Sequence, residues 1–422
     1  MYLGIDFGTS GARACVMAPG GQIEDMVRLE FGELTPDEAA ASWSEVLFNL
    51  IAQVPAGLRR RLLALAVDGT SATVLACNEA LETTYPPLLY NDARAVDAAL
   101  TIRRAAGAAH PAAAVTSGLA KVLWLKKNLG PNRTRLYLNQ ADWLSALLCG
   151  RAASDYHNAL KMGVDLETGL WPDWVTHLAD IDTLPLPVKP GTALALVERP
   201  RARSLGLNPD CLVRAGTTDS IAAFLAAGIS QPGEAVTSLG TTLVLKLLSE
   251  TRVDAGEYGV YSHWFGRYWL AGGASNAGGG VLRQHFSDTE LIALSADIEV
   301  ESNTGLDYYP LPSKGERFPV NDPELAPRLE PRPASRAEFL QGMLEGLANI
   351  EARGYTVLAQ LGATPAHSIY TAGGGARNDA WTRIRARLLR VPVARAGEQE
   401  ACYGTARLAC FGSGLFPGGG DD

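Results

Sequence analysis

The sequence predicts an α/β fold with two domains, and three observations support this prediction. Apolar strands near the start are followed by a helix and then a buried strand, the order of a mixed sheet flanked by helices. A second β-meander begins at Ala235 and resembles the first. The 422 residues exceed one ordinary hydrophobic core and suit two domains of roughly 200 residues each.

Composition excludes several classes of protein. Hydrophobic residues make up 47% of the chain and charged residues 19%, which predicts a folded protein. A net charge of −8 argues against nucleic acid as a partner, because phosphate backbones require a concentrated positive surface. The six cysteines form no CxxC pair and the six histidines show no ligand spacing, so we expect reduced core cysteines and no protein-built transition-metal site.

The start of the sequence indicates the cellular compartment in which we expect the protein. Met1 leads directly into a strand pattern, without a basic segment or a long apolar one. We therefore expect a cytoplasmic protein that does not bind membranes, or a plastid protein from which a leader has been removed.

Individual elements follow from the periodicity of apolar residues and from turn and cap residues. Thr35 and Glu38 form a capping box at the start of the first helix. Strands are predicted at residues 2–7, 13–18, 23–30, 62–67, 211–214, 235–239, 243–248 and 368–372. Further helices are predicted at 119–128, 140–148, 336–361 and 379–389, and one that contains 221–227.

Two glycine-containing turns have the chemistry of phosphate loops. The Gly-Thr-Ser turn at residues 8–10 follows the first strand, and the Gly-Thr-Thr turn at 240–242 joins two apolar strands. Such hairpins can direct backbone N–H groups and hydroxyls at a phosphate, although each alone is also an ordinary turn. Their recurrence at the head of both halves favours a polyphosphate site. No GxxxxGK[ST] motif occurs, which excludes P-loop classes.

Two aspartates are candidates for the chemistry. Asp6 ends a strand beside the first turn, where a carboxylate can hold Mg²⁺, often through water. Asp219 follows the strand at 211–214 and opens a helix. It either caps that helix or accepts the proton of an attacking sugar hydroxyl, and its spacing leaves both roles open.

Polar clusters offer contacts for a sugar and a nucleotide. Residues 68–71 (Asp-Gly-Thr-Ser) and 90–94 (Tyr-Asn-Asp-Ala-Arg) supply the paired donors and acceptors that a polyol requires, or are simply polar loops. The glycines of 373–375 let a flat base or ribose approach the backbone, with Asn378 at a purine edge, or mark a tight turn. The glycines at 272–273 and 278–280 are also expected to let the nucleotide approach the backbone closely.

The sequence resembles the FGGY carbohydrate kinases of the actin-like ATPase superfamily. The resemblance rests on residues 4–10, 215–220, 238–242, 272–280 and 373–381. It implies two ribonuclease-H-like lobes, each a mixed sheet flanked by helices, with an interlobe active-site cleft. The expected lobes are 1–226, joined by a C-terminal helix at 400–422, and 227–399. A monomer or homodimer is expected.

The resemblance also implies roles for individual residues. Asp219 and Asp6 are the expected catalytic residues, and Asp6 is the expected Mg²⁺ ligand. The expected sugar-binding residues are Asp6, Ser71, Asp92 and Asp219. The expected ATP-binding residues are Gly8, Thr9, Ser10, Arg13, Gly240, Thr241, Thr242, Gly279, Gly374, Gly375 and Asn378.

The expected reaction is transfer of the γ-phosphoryl group of Mg-ATP to a ketopentose. Long xylulokinases carry a Gln-Met-His segment where this chain has residues 68–71, so D-ribulose is preferred over D-xylulose or another polyol. A non-catalytic actin-like nucleotide switch and a sugar sensor are the alternatives from other classes.

Overall fold

The structure, a computed structural model, describes residues 1–129 and 134–416. The chain divides into two compact units. The first unit comprises Met1–Ala226 together with the segment that begins at Glu398, and the second comprises Ala227–Gly397.

The strands in chain order are β1 Tyr2–Phe7, β2 Gly11–Met17, β3 Ile23–Glu30, β4 Ala64–Gly69, β5 Val74–Cys77, β6 Leu136–Asn139, β7 Ala153–Asp155, β8 Leu186–Val188, β9 Ala193–Leu196, β10 Leu212–Thr218, β11 Glu234–Leu239, β12 Leu243–Ser249, β13 Tyr261–Phe265, β14 Tyr268–Ser275, β15 Ser368–Ala372 and β16 Val393–Arg395.

The helices are α1 Pro36–Gln53, α2 Ala56–Arg59, α3 Val96–Ala106, α4 Gly118–Leu129, α5 Gln140–Cys149, α6 Tyr156–Ala159, α7 Asp173–Thr176, α8 Arg199–Leu205, α9 Asp219–Ala226, α10 Gly279–Leu282, α11 Asp288–Ala296, α12 Arg336–Gln360, α13 Asp379–Leu389 and α14 Ala401–Phe411. Short 3₁₀ turns lie at Pro111–Ala113, Leu160–Met162, Ile181–Thr183, Gly256–Tyr258, Gly374–Arg377 and Gly412–Gly414.

The sheets of the two units share an arrangement. In the first unit the strand order is β3-β2-β1-β4-β10-β9, and in the second it is β13-β14-β12-β11-β15-β16. In each sheet three antiparallel strands, β3-β2-β1 and β14-β12-β11, are followed by two parallel strands, β4-β10 and β15-β16. One more antiparallel strand completes each sheet, β9 beside β10 and β13 beside β14. The predicted similarity of the two meanders is therefore confirmed at the level of strand pairing.

Each sheet packs against helices through its own apolar core. In the first unit, Leu3 and Ile5 of β1 pack with Leu47 of α1. In the second unit, Leu245 of β12 packs with Leu344 of α12. The mixed α/β fold with sheets flanked by helices is thus the one that the sequence predicts.

Two strands differ from the prediction in a way that matters for the site. β4 runs to Gly69 rather than ending at residue 67, and β10 runs to Thr218 rather than ending at 214. Both continue because Thr217 and Thr218 pair with Asp68 and Gly69 beyond a bulge. Cross-strand pairing therefore carries β10 past the glycine at 216 to the start of α9.

The helix α14 returns the chain to the first unit, where it packs on β1, β4 and α9. Gly4 allows this approach, because a Cβ there would collide with the backbone of Cys402 and Ala406. The helix ends at Phe411, so the expected helix at 400–422 is shorter than predicted, and its part beyond residue 416 lies outside the described residues.

Candidate active site

Two carboxylates meet on neighbouring strands of the first unit. β1 and β4 are parallel, and their register places Asp6 directly beside Asp68. The next parallel strand, β10, places Thr217 in register with Asp68, two residues before Asp219. Because strand direction is shared, the acidic residues gather at one edge of the sheet.

Burial makes it costly for both carboxyl groups of this pair to be charged at once. Asp6 is 3% exposed and Asp68 is fully buried. Burial, followed by the charge of Asp6, raises the pKa of Asp68 well above its ordinary value. Burial also raises the pKa of Asp6, although hydrogen bonding to Asp68 and the charge of Arg13 act against the rise. Asp68 is therefore the member of the pair that more readily holds a proton.

Contacts from other elements hold the two side chains. The Thr405 hydroxyl on α14 donates to Asp68 Oδ2. Arg13 Nη1 lies 3.3 Å from Asp6 Oδ2, and its Nε lies 3.4 Å from Glu400 Oε2. Arg13, assigned to ATP from the sequence, thus bridges two carboxylates in the first unit, and its contact with ATP remains a prediction.

Asp219 is the first residue of α9 and follows β10 without a loop. Its Oδ1 accepts the Ser220 backbone N–H at 2.6 Å. The charge of Asp219 is one of the influences that raise the pKa of Asp68, after burial and the charge of Asp6. The fold therefore brings together two of the predicted catalytic residues, Asp6 and Asp219, around Asp68, to which the sequence analysis gave no catalytic role.

The first predicted phosphate turn projects from the sheet. The Gly8 N–H donates to the Gly11 carbonyl at 3.0 Å, and Thr9 and Ser10 are exposed at the tip. The Ser10 carbonyl accepts the Phe31 N–H at 2.9 Å, which fixes the turn to the segment after β3. The hydroxyls at the tip are accessible to a ligand.

In the second unit, the turn at Gly240 contacts another glycine segment. The Gly279 N–H donates to the Gly240 carbonyl at 2.8 Å, and the Gly280 N–H donates to the Thr241 carbonyl at 3.0 Å. A Cβ on Gly279 would lie 2.8 Å from the Gly240 oxygen. The start of α10 therefore lies directly against the hairpin.

The glycine segment after β15 reaches the same end of β11. A Cβ on Gly373 would lie 2.9 Å from the Leu239 carbonyl oxygen, and one on Gly375 would lie 2.6 Å from Leu239 Cβ. Around Gly374 there is open space for such an atom. Three glycine segments thus line one edge of this sheet, a setting that lets a ligand approach the backbone closely.

One expectation for this edge changes with the structure, and a second remains a prediction. Gly272 and Gly273 do not line it, because they lie within β14 and pair with β12. The Asn378 side chain accepts the Trp381 N–H at 3.0 Å as the cap of α13 and donates to Ser295 Oγ at 2.9 Å. Its contact with a purine remains a prediction.

Two of the predicted sugar contacts, Ser71 and Asp92, lie in loops of the first unit. Asp92 binds Arg94 through an ion pair of 2.8 Å, and both line a cavity of about 560 Å³ with Asn91. Ser71 follows β4 and is half-buried. Asp92 thus has a partner within its own loop, while its role toward a sugar remains a prediction.

Sequence reasoning grouped Asp68 with the sugar contacts and did not predict its pairing with Asp6 or its bond to Thr405. One signal was available: both aspartates directly follow continuous runs of Leu, Ala, Gly, Val and Ile that are typical of buried strands. Within 1–129 and 134–416, no cluster of three or more His, Cys, Asp or Glu residues is arranged to hold a metal by itself. No helix in that part of the chain is long and apolar enough to cross a membrane.

Comparisons with known proteins identify the fold and the family. A crystal structure described as a xyloylose kinase from Brucella ovis superposes with a TM-score of 0.84 at 23% identity, over 97% of this chain and 89% of that one. That likeness shows that the two proteins share a fold. The model of the N-terminal domain of the FGGY family of carbohydrate kinases matches residues 1–226, and the C-terminal domain model matches 235–413.

The chain belongs to the FGGY family of carbohydrate kinases and is a sugar kinase. Kinases of this family act on a sugar and ATP. Among curated proteins, a xylulose kinase of Klebsiella pneumoniae is 24% identical over 97% of this chain and 89% of its own length. A gluconokinase of Bacillus subtilis is 21% identical over 98% of this chain and 87% of its own length.

Proposed function

We propose that this kinase transfers the γ-phosphoryl group of Mg-ATP to a ketopentose, with D-ribulose as the preferred acceptor. The observation that carries the proposal is the meeting of Asp6, Asp68 and Asp219 at one sheet edge. Phosphoryl transfer requires correct positioning of the reactants, a cation that neutralises charge and a carboxylate that orients the nucleophile. This edge supplies one carboxylate to hold the cation, Asp6, and one to orient the nucleophile, Asp219.

In this proposal Asp219 orients the C5 hydroxyl of the sugar and accepts its proton. The sugar oxygen forms a bond to the γ-phosphorus, the bond from that phosphorus to the β–γ bridging oxygen breaks, and ADP leaves. Asp219 suits this role because its carboxylate lies at the first residue of a helix and is near enough to Asp68 for its charge to raise the pKa of that group. The glycine-lined edge of the second unit, with Gly240 and Gly279, binds the nucleotide.

The carboxylates of this edge fit Mg²⁺. Burial without full neutralisation raises the pKa of Asp6, and oxygen ligands are those that Mg²⁺ prefers. Bound Mg²⁺ would neutralise charge that develops on the transferred phosphoryl group. Asp6 would hold it through water, and nucleotide phosphates would complete its coordination.

D-Xylulose is the second candidate, favoured by the curated xylulose kinases among the relatives. Coupled release of ADP with D-ribulose, D-xylulose, D-gluconate, glycerol and no sugar separates these substrates. We expect stimulation by one pentulose above all others. Equal release with and without every sugar would reject the proposed substrate class.

Replacing Asp219 tests the proposed base. We expect Asp219→Asn to lower kcat by about 10²–10⁴-fold, because general base catalysis contributes a factor of that size. Asp210→Asn is the matched control, because Asp210 is exposed in the turn before β10. Near-normal turnover of Asp219→Asn would remove Asp219 from the mechanism.

A further inference from the structure

A buried lysine joins two loops of the first unit. Lys121 on α4 is fully buried. Its Nζ donates to the carbonyl oxygens of Ala72 at 2.7 Å, Leu89 at 2.7 Å and Tyr90 at 3.3 Å. In its protonated form this group has three N–H donors, one for each of these main-chain carbonyls.

These carbonyls belong to the two loops that carry the proposed sugar contacts. Ala72 directly follows Ser71, and Leu89 and Tyr90 precede Asp92. The Leu89 carbonyl also accepts the Asp92 N–H at 2.9 Å, so the ammonium and the Asp92 backbone share one acceptor. Lys121 therefore acts on the backbone beside each contact rather than on the contact itself.

The backbone at Ala72 needs such support. Its φ is 63°, in the left-handed region that costs free energy for any residue with a Cβ. On the other side of Ser71, Gln140 Oε1 accepts the Thr70 N–H at 3.0 Å and the Thr70 hydroxyl at 2.8 Å. Ser71 is thus held between an anchor on α5 and the lysine on α4.

The same face of α4 contacts the second loop again one turn later. The Arg94 guanidinium lies 5.1 Å from the centre of the Trp124 ring, three residues after Lys121. Arg94 in turn makes two hydrogen bonds from Nε to Asp92, at 3.0 and 2.9 Å. Side chains three residues apart share a helix face, so α4 presents both anchors together.

We propose that Lys121 is the positioning residue of the sugar site: it fixes the loop of Ser71 relative to the loop of Asp92 so that both bind one ketose. This inference rests on the proposed function. Lys121 touches neither reacting atoms nor nucleotide in this scheme, so it controls how well the sugar binds rather than how fast the phosphoryl group is transferred.

The test compares Lys121→Met with Lys127→Met. Methionine keeps the length and removes the three donors, and Lys127 lies on the same helix with an exposed side chain. For Lys121→Met we expect the KM for the ketose to rise about tenfold or more, with kcat within about threefold and the KM for ATP within about twofold. Lys127→Met should change none of these.

Hydrogen exchange provides a readout that does not need turnover. Lys121→Met should speed exchange of the amides in residues 70–73 and 88–92 together, whereas Lys127→Met should not. Faster exchange in both loops with an unchanged ketose KM would overturn the proposal, and so would exchange that is unchanged in either loop.

A failure of the proposed function is distinguishable from a failure of this inference. It shows in the unsubstituted protein, as ADP release that no pentulose stimulates. If Lys121→Met does not fold, Lys121→Gln, which retains a donor, takes its place under the same criteria.

Discussion

In the described parts of the chain, residues 1–129 and 134–416, two long cationic side chains are completely buried, one in each unit, and the protein stabilises them differently. Arg385 on α13 binds Glu351 on α12 through two hydrogen bonds, of 2.6 and 2.7 Å, and Thr371 through one of 2.5 Å. Lys121 on α4 instead donates to three main-chain carbonyls. One cation has a carboxylate as its counter-ion, and the other is held by peptide dipoles.

The pKa of each group shows the consequence. Burial acts to lower the pKa of Arg385, but the charge and hydrogen bonds of Glu351 raise it above its ordinary value. Burial lowers the pKa of Lys121 to about 7. The negative charge of Asp92 opposes this shift, and the positive charge of Lys161 adds to it. The arginine pair is a permanent part of the core, whereas the lysine titrates near neutral pH.

The largest effect is expected where a charge loses its partner. Arg385→Met should lower the free energy of unfolding by about 3–5 kcal/mol, because it leaves Glu351 buried without a cation. Urea denaturation followed by circular dichroism measures this loss. Arg383→Met, on the same helix with an exposed ion pair to Glu301, should cost at most about 1 kcal/mol.

The double variant Arg385→Met with Glu351→Met separates charge from packing. It removes both members of the pair, so it should recover most of the stability lost in Arg385→Met. A double variant no more stable than the single one would mean that the pair acts through packing alone.

A smaller effect is expected for the pH dependence of stability. Between about pH 7 and 10.5, the unfolded chain keeps a proton on Lys121 that the folded chain releases. The lysine therefore makes the free energy of unfolding rise with pH, by at most about 1.4 kcal/mol per unit. The difference in stability between the unsubstituted protein and Lys121→Met, measured at pH 6 to 9, should be flat below about 7 and should grow above it. A difference independent of pH would show that Lys121 does not titrate in this range.

The smallest effect concerns a neutral member of the arginine network. Thr371→Val keeps the shape of the side chain on β15 but removes the oxygen that accepts from Arg385 Nη1. We expect a loss of about 1.5 kcal/mol in the free energy of unfolding, typical of a hydrogen bond to a charged group. A loss as large as that of Arg385→Met would mean that the hydrogen bond to Thr371 stabilises the arginine as much as the ion pair with Glu351 does.

The sequence predicted local structure well where local signals are strong. The strands at 2–7, 23–30 and 368–372 and the helix at 379–389 have the predicted bounds, because alternating apolar residues and cap residues act within a few positions. The capping box of Thr35 and Glu38 forms as expected. Asp6 and Asp219 were proposed from motifs in the same way, and their roles are still to be tested.

By itself, the sequence determined the α/β class, the opening strands with their helix, the two glycine turns and the family. Only the tertiary structure decided that β4 and β10 extend far enough to bring Asp68 beside Asp6, because that pairing joins residues distant in the chain. It also decided that Lys121 reaches two loops and that Arg385 meets Glu351. A buried cation must lie close to its acceptors in space. The periodicity of a sequence reports local structure and does not say which distant residues meet.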